Sequence, residues 1–464
     1  MLAAAVFGLL LLYTFLFYRK VSRYPKGPLP LPIIGNLHQI RLHDLHKYLH
    51  TLGKKYGHCY TLFLPYPIVV FTDYAHIKGA LAKNHSKSVN LMKNLYLFAG
   101  EHFIARSQRP PETLLQRHLQ TGVLGSDGEV NRSIAETMEL VKSTVHGQAV
   151  NPSMFIQYGD CGVFEEFVKR VNAFLIMTRA NKYAALIGGW PWLKYIPIIR
   201  RLGHDVIVDN SSKYIDFIES EVDKAAASFD ADMEPVNFVH AYMKEMKKNP
   251  ALDMKNLYAL AADFWLAGME TTSTTLRTAL LWLMAYPDVQ DRMRSELLSA
   301  VGSDRIVTMA DKPSMPYFTA AIAEIQRCTN MVPFIGSHKC TRDSVVCGKT
   351  IPSGAVTMPQ IYSVLEEDSA FDRPNDFRPE RFLLDDGTTP NKAAVDRLIA
   401  FGMGKRQCAG EGLARMELFL VLAALVQAYR FVPDSVEAAR AVLDNRLFGA
   451  VIAPPPYECR LVPV

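Results

Sequence analysis

The segment from residue 253 to 286 limits the possible folds more than any other. It reads as one helix of about 34 residues, about 50 Å long. Apolar residues cover nearly all its sides, and such a helix belongs at the centre of a large protein. Asp263, Glu270 and Arg277 interrupt it, which argues against a membrane span. Among 464 residues, 49% are hydrophobic and 21% charged, so a core large enough to enclose this helix is available and general disorder is excluded. Tyr286-Pro287-Asp288 separates it from a following helix, with proline near the start of the second.

Helical periodicity also marks 162–180, 204–228, 235–248, 288–301 and 409–429. Residues 60–72 read as two short strands around a turn, and strand-like pieces recur at 345–352, 354–359 and 450–463. The expected fold is mainly α with minor β-sheets, in one domain without an internal linker. No repeat period is visible, and a net charge of +5 is too thinly spread to suggest nucleic acid as a partner. A local basic patch for an acidic partner stays open.

Leu2 to Tyr18 form an apolar run followed at once by Arg19 and Lys20. Helical residues in that number rise about 26 Å, close to the thin hydrocarbon of the endoplasmic reticulum. A cleaved signal peptide is the competing reading, but no basic residue precedes the run and no small-x-small site follows it. Residues 1–20 are expected to be a signal anchor, and Arg19, Lys20 and Arg23 leave the remainder in the cytosol. Pro25, Pro28, Pro30 and Pro32 make 21–40 a stiff, extended spacer that separates the anchor from a body over 41–464.

Seven cysteines at irregular spacing, with no C-x-x-C pair, exclude zinc ribbons and small disulfide scaffolds. Cys408 stands out. In Phe401-Gly-Met-Gly404-Lys-Arg406-Gln-Cys408-Ala-Gly410, glycines permit a tight loop, a helix begins just beyond, and Lys405 and Arg406 lie close. The helix start and the basic residues are expected to favour thiolate over thiol. A redox thiol, a nucleophile and a metal ligand all remain open on these grounds. Within the long helix, Ala267-Gly268-Met269-Glu270-Thr271-Thr272 gathers poor helix formers, as a tolerated weakness or as a site.

Phe401-x-x-Gly404-x-Arg406-x-Cys408-x-Gly410 resembles the haem-binding signature of the cytochrome P450 family of haem-thiolate monooxygenases. Three further motifs agree in order. Ala267-Gly268-x-Glu270-Thr271-Thr272 resembles that family's oxygen-activating helix, Glu324-x-x-Arg327 its E-x-x-R helix, and Pro379-Glu380-Arg381-Phe382 its P-E-R-F element. The proline-rich stretch behind an anchor is similar to microsomal, animal xenobiotic- or lipid-metabolising members.

The resemblance implies the cytochrome P450 fold and haem b, with Cys408 as axial ligand to iron. It implies that Phe401 keeps the sulfur dry, that Gly404 and Gly410 let backbone approach it, and that Arg406 and His338 contact haem propionates. Glu270 and Thr271 would deliver protons, with Gly268 leaving room for oxygen, while Glu324, Arg327 and Arg381 would form a structural network. The implied reaction inserts one oxygen atom of O2 into a lipophilic small molecule such as a fatty acid, steroid or xenobiotic. With no flavin or nicotinamide fingerprint in the chain, electrons would come from an NADPH-dependent cytochrome P450 reductase. It would dock on a basic face that includes Lys405 and Arg415, with cytochrome b5 as a second donor. The implied location is the endoplasmic reticulum membrane, facing the cytosol.

The pattern breaks in one region. The family's Trp-x-x-x-Arg is absent, since all four tryptophans lie elsewhere (190, 192, 265 and 282). Ser126-Asp-Gly-Glu-Val130 reads as the lead-in to that helix, yet Asn131-Arg-Ser-Ile follows, and a second compression is expected near 156–162. Residues 100–190 are therefore expected to be atypical and to lack one or more helices. A non-catalytic, membrane-tethered remnant with impaired haem binding is the alternative function. Gly189-Trp190-Pro-Trp192-Leu-Lys-Tyr-Ile-Pro is read as core packing at a helix corner or as a membrane-dipping loop.

Overall fold

A computed structural model describes residues 2–41, 44–64, 66–82, 86–88, 149–150, 181, 183, 186–187, 190–235, 237–367, 369–404, 407–448 and 451–464. The expected helix over 162–180 and the pattern breaks at 126–134 and 156–162 lie outside the described residues, as do Lys405 and Arg406.

In chain order the named helices are α1 (Leu2–Val21), α2 (Leu45–Tyr56), α3 (Tyr74–Ala82), α4 (Val206–Ala227), α5 (Phe238–Met246), α6 (Met254–Ala285), α7 (Pro287–Val301), α8 (Pro316–Thr329), α9 (Ile361–Glu367), α10 (Lys392–Arg397), α11 (Glu411–Ala428) and α12 (Val436–Asp444). The strands are β1 (Cys59–Phe63), β2 (Pro67–Phe71), β3 (Ser86–Ser88), β4 (Ala149–Val150), β5 (His338–Cys340), β6 (Ser344–Val346), β7 (Lys349–Ile351), β8 (Val356–Pro359), β9 (Tyr429–Val432), β10 (Leu447–Phe448), β11 (Ile452–Ala453) and β12 (Cys459–Pro463).

The long apolar segment is α6. Its N-terminus is capped by Asp253, whose carboxylate accepts from the Asn256 N–H at 2.7 Å. Its C-terminal half, nearly all of Ser273 to Ala285, is buried among α7, α8, α11 and α12. Trp282 stacks on Phe377 with ring centroids 4.8 Å apart. The N-terminal half meets a separate cluster in which Tyr214, Ile218 and Val222 of α4 pack with Tyr242, Leu257 and Ala262. The Tyr214 hydroxyl donates to the Ala262 carbonyl at 2.5 Å. The central helix thus joins two cores.

The largest sheet has the order β1-β2-β8-β5-β3. β1 and β2 form the expected hairpin, with Cys59 opposite Phe71, and β2 pairs in parallel with β8, Ile68 beside Val356. All ten residues of this hairpin's strands are buried, because both faces are covered. Tyr60, Leu62, Ile68 and Val70 pack with Leu49 and Leu52 of α2, while Cys59, Val69 and Phe71 join the main core. That double burial explains a continuous apolar run where a half-buried strand would alternate.

The proline-rich stretch is fastened to the body. Asn36 donates from Nδ2 to the Pro28 carbonyl at 3.1 Å, accepts from the Phe63 N–H at 2.9 Å, and donates its own N–H to the Phe63 carbonyl at 2.8 Å. A Cβ at Gly27 or Gly35 would collide with the carbonyls of Thr61 or Phe63. The segment runs along β1 and is not a free spacer.

His46, near the start of α2, is buried with its ring 4.7 Å from that of Tyr362 and 5.0 Å from that of Phe448. Burial pulls its pKa down to about 4, assisted by Lys47 and Arg446 and opposed by Asp44. A folded-state pKa below the unfolded one gives stability that is complete above about 6.5 and is lost as pH falls toward 4. The unfolding temperature of the full chain should therefore drop between pH 7 and pH 4.5. His46→Phe should make that drop shallower, and an identical slope in both proteins would remove His46 as a cause.

Candidate active site

The loop before α11 is built by three backbone hydrogen bonds. Gly402 N–H donates to the Ile399 carbonyl at 2.8 Å, Gln407 to Gly404 at 3.1 Å, and Cys408 to Phe401 at 2.9 Å. Gly402 and Gly404 both sit at φ +77°, where a side chain would be strained, and a Cβ at Gly404 would lie 3.2 Å from the Leu81 carbonyl oxygen. Gly404 lets the loop close against the end of α3, while Gly402 lies beside Ile335. Cys408 is left exposed directly before the α11 N-terminus.

Of the groups expected to favour the thiolate, Lys405 and Arg406 lie outside the described residues. Burial of the sulfur by surrounding protein pushes the Cys408 pKa up, and the carboxylate of Glu411 acts in the same sense, against a backbone hydrogen bond from Gly410. Arg415 does not reach the sulfur. Its guanidinium pairs with Glu411 at 2.8 Å and lies 4.9 Å above the Phe401 ring. Gln407 also donates to Glu411.

Helix α6 continues unbroken through Ala267–Thr272. The threonine hydroxyls are satisfied locally, since Thr271 donates to the Ala267 carbonyl at 2.6 Å and Thr275 to the Thr271 carbonyl at 2.8 Å. Ala267 and Gly268 are exposed, and a Cβ on Gly268 would meet nothing within 4 Å. Glu270 is buried and accepts from the Thr274 hydroxyl at 3.4 Å. The acid and the alcohol therefore occupy neighbouring faces, with the hydroxyl of Thr271 on the open side.

Two acids bordering this region carry no motif. Asp263 shares the helix face of Ala267 and Thr271 by four-residue spacing, and desolvation pushes its carboxyl up to about 6. Glu417 on α11 is raised by burial while the Thr272 hydroxyl, bonded to it, acts the other way. In the sequence Asp263 registered only as a charge unsuited to a membrane span, and Glu417 gave no signal. The Thr272–Glu417 link matters because α6 and α11 pack together. It joins the helix carrying Thr271 to the helix that begins beside Cys408.

His338 lies on β5, opposite Thr357 and Ser88, and is buried. Burial lowers its pKa, partly offset by a hydrogen bond to the Gly336 backbone, and its Nδ1 has no hydrogen-bond partner among the described residues. A buried, orphaned ring nitrogen calls for an acceptor or donor from a bound group.

Glu324, Arg327 and Arg381 come together as expected. Glu324 takes Arg327 in a fork, with Nε to Oε2 at 2.8 Å and Nη2 to Oε1 at 2.9 Å, and takes Arg381 Nε on Oε1 at 2.9 Å. The Arg378 N–H adds a fourth donor at 2.8 Å. The guanidiniums also donate to main-chain carbonyls, Arg327 to Leu365 and Pro374, Arg381 to Asp372 and Asp376, and Arg327 reaches the Cys328 sulfur as well. All three side chains are buried, and one carboxylate serves both guanidiniums.

An accessible cysteine on a glycine-shaped loop, a central helix with an open, glycine-bearing face, and an orphaned buried histidine fit haem b with thiolate ligation. The fold and site define a haem-thiolate oxygenase. The family model Cytochrome P450 matches residues 25–461. Cytochrome P450 2E1 of Sus scrofa is 31% identical, covering 95% of this chain and 93% of the relative. Cytochrome P450 2C8 of Homo sapiens is 30% identical, covering 95% and 94%, as is Cytochrome P450 2C70 of Rattus norvegicus. The chain belongs to the cytochrome P450 family, whose cofactor is haem b held by a cysteine thiolate and whose members are monooxygenases.

The Glu324 cluster yields a direct test. Glu324→Gln leaves two buried guanidiniums short of their shared charge, at a cost of about 3–5 kcal/mol. The urea midpoint of the purified full chain should fall accordingly. An unchanged midpoint would show that the cluster does not hold the fold.

Proposed function

We propose that this chain is a membrane-anchored monooxygenase of the endoplasmic reticulum, facing the cytosol, that oxidises a lipophilic small molecule with Cys408 as the iron ligand. The observation that carries this reading is the joint between α6 and α11. It sets the open face of Ala267, Gly268 and Thr271 on a helix packed against the one that starts at the Cys408 loop. Haem b, when bound, supplies the oxygen activation and one-electron chemistry.

The chain's own residues then have separate tasks. Cys408 gives up its proton on ligation, since a coordinating thiol is deprotonated outright whatever its pKa in the protein alone. Phe401 shields that sulfur, and Arg415 stacked on the ring fixes its position. Gly404 and Gly410 keep the backbone near it free of side chains. Thr271, freed from its bond to the Ala267 carbonyl, offers a hydroxyl proton on the open face, and Glu270 supplies the exchangeable proton one residue away. His338 and Arg406 bind the propionates, the first through its partnerless Nδ1. Glu324, Arg327 and Arg381 hold the surrounding fold. Electrons arrive from an NADPH-dependent reductase docking beside Lys405, with cytochrome b5 as a second donor. The substrate is a fatty acid, steroid or xenobiotic.

The reduced carbon-monoxide complex of the purified chain should show the thiolate-type Soret band, and Cys408→Ser should abolish it. A chain that never shows the band when haem is supplied during expression is the remnant that the missing Trp-x-x-x-Arg suggests. Thr271→Ala should keep the band but lower product formation about tenfold or more, with peroxide released in its place. Full coupling in that variant would remove Thr271 from proton delivery.

A further inference from the structure

Thr389-Pro390-Asn391-Lys392 takes no part in the oxygenase site. It lies on the surface connection between Pro379–Phe382 and α10, where Leu384, Asp385, Asp386, Thr388, Thr389 and Pro390 are all exposed. The connection turns back on itself. Leu383 bridges Pro390, the Leu384 N–H donates to the Thr389 carbonyl at 2.8 Å, and Gly387 takes the corner at φ +70°. A hydroxyl in an exposed turn is open to another enzyme. Pro390 also biases the backbone of Thr389 toward the extended form in which a chain enters a catalytic cleft.

One carboxylate closes the turn. Asp386 accepts from the N–H groups of Thr388 and Thr389, at 2.9 Å and 2.8 Å, and from the Thr389 hydroxyl on its other oxygen. These bonds, that of the hydroxyl foremost, hold the Asp386 carboxyl down at about 2, so it is ionised at neutral pH. The base of the turn is fastened separately. The Asn391 N–H donates to the Phe382 carbonyl at 2.8 Å, and its Nδ2 to the Arg381 carbonyl at 3.0 Å. Lys392 is exposed three residues beyond the threonine.

We propose that Thr389 is a phosphorylation site for a proline-directed serine/threonine kinase, and that its phosphate opens the turn. Proline at the next position has no N–H, so an apolar pocket accepts it without leaving a donor unpaired, and Lys392 offers a cation to an anionic rim. The threonine oxygen attacks the γ-phosphorus of magnesium-bound ATP, and the bond from that phosphorus to the bridging oxygen breaks. ADP leaves, and the hydroxyl proton passes to the kinase's catalytic aspartate. The ester oxygen has no proton to give Asp386, and about 1.5–2 negative charges then stand beside that carboxylate. Repulsion replaces the bond, and the amides of Thr388 and Thr389 lose their acceptor. The fastened base confines the change to 384–389. In a cell the reaction rests on the cytosol-facing reading of the body, because the ATP and the kinase are there.

The purified full chain, incubated with magnesium-ATP and a proline-directed kinase that requires a basic residue three positions on, should carry phosphate on Thr389 by peptide mass spectrometry. Thr389→Ala should lose that phosphate, Thr389→Ser should keep it, and Lys392→Ala should lose most of the rate. Amide hydrogen exchange over 384–389 should be faster in the phosphorylated chain than in the untreated one, with exchange over α8 unchanged. A synthetic peptide of residues 384–395 is the control. Phosphate on the peptide but not on the chain overturns the site, because the fold then hides the threonine. Phosphate on neither overturns it as well, because the pattern is then not recognised. A phosphorylated chain with unchanged exchange over 384–389 overturns the opening of the turn. Each of these failures leaves the orientation of the body untouched.

Discussion

One carboxylate organises the back of this molecule. Glu324 is buried and receives four donors from three arginines, Arg327 on its own helix and Arg378 and Arg381 far along the chain. Neither guanidinium could be buried without it, and through them the main chain of 365–376 is held against α8. That loop region leads through Pro379–Phe382 and α10 to the cysteine loop. The cluster therefore holds the chain that precedes the cysteine loop in sequence. Replacement of the whole cluster by apolar residues of equal volume would be far less harmful than loss of one member, because the cost lies in leaving charge uncompensated.

The site divides the labour of making a thiolate. A helix start, two basic residues and a cysteine suggested in the sequence that the protein alone would ionise the sulfur. The described surroundings do the reverse, with Glu411 beside the thiol and Arg415 turned away toward Glu411 and Phe401.

Much of this was legible in the sequence. The central helix was visible because its apolar residues run all round it, and its far end because the Tyr286-Pro287 break is a local signal. The Glu324, Arg327 and Arg381 cluster and the cysteine loop came from short motifs. The fastening of 21–40 was not legible, because it depends on Asn36 meeting Phe63, and proline composition reports only stiffness. Glu417 was invisible for the same reason, since its partner Thr272 lies on another helix. Double burial of the β1–β2 hairpin left an apolar run, though which face met which core could not be read from one strand alone.

The parallel pairing of β2 with β8 has a consequence for how the protein is made. Ile68 finds Val356 only after nearly the whole body has been synthesised, by which time α1 has long left the ribosome. Contacts this distant in sequence form late, and an unpaired strand edge invites the wrong partner meanwhile. A hairpin buried on both faces in the finished molecule must wait near the bilayer with one edge open. Chains truncated before β8 should thus be marked by that unfilled edge.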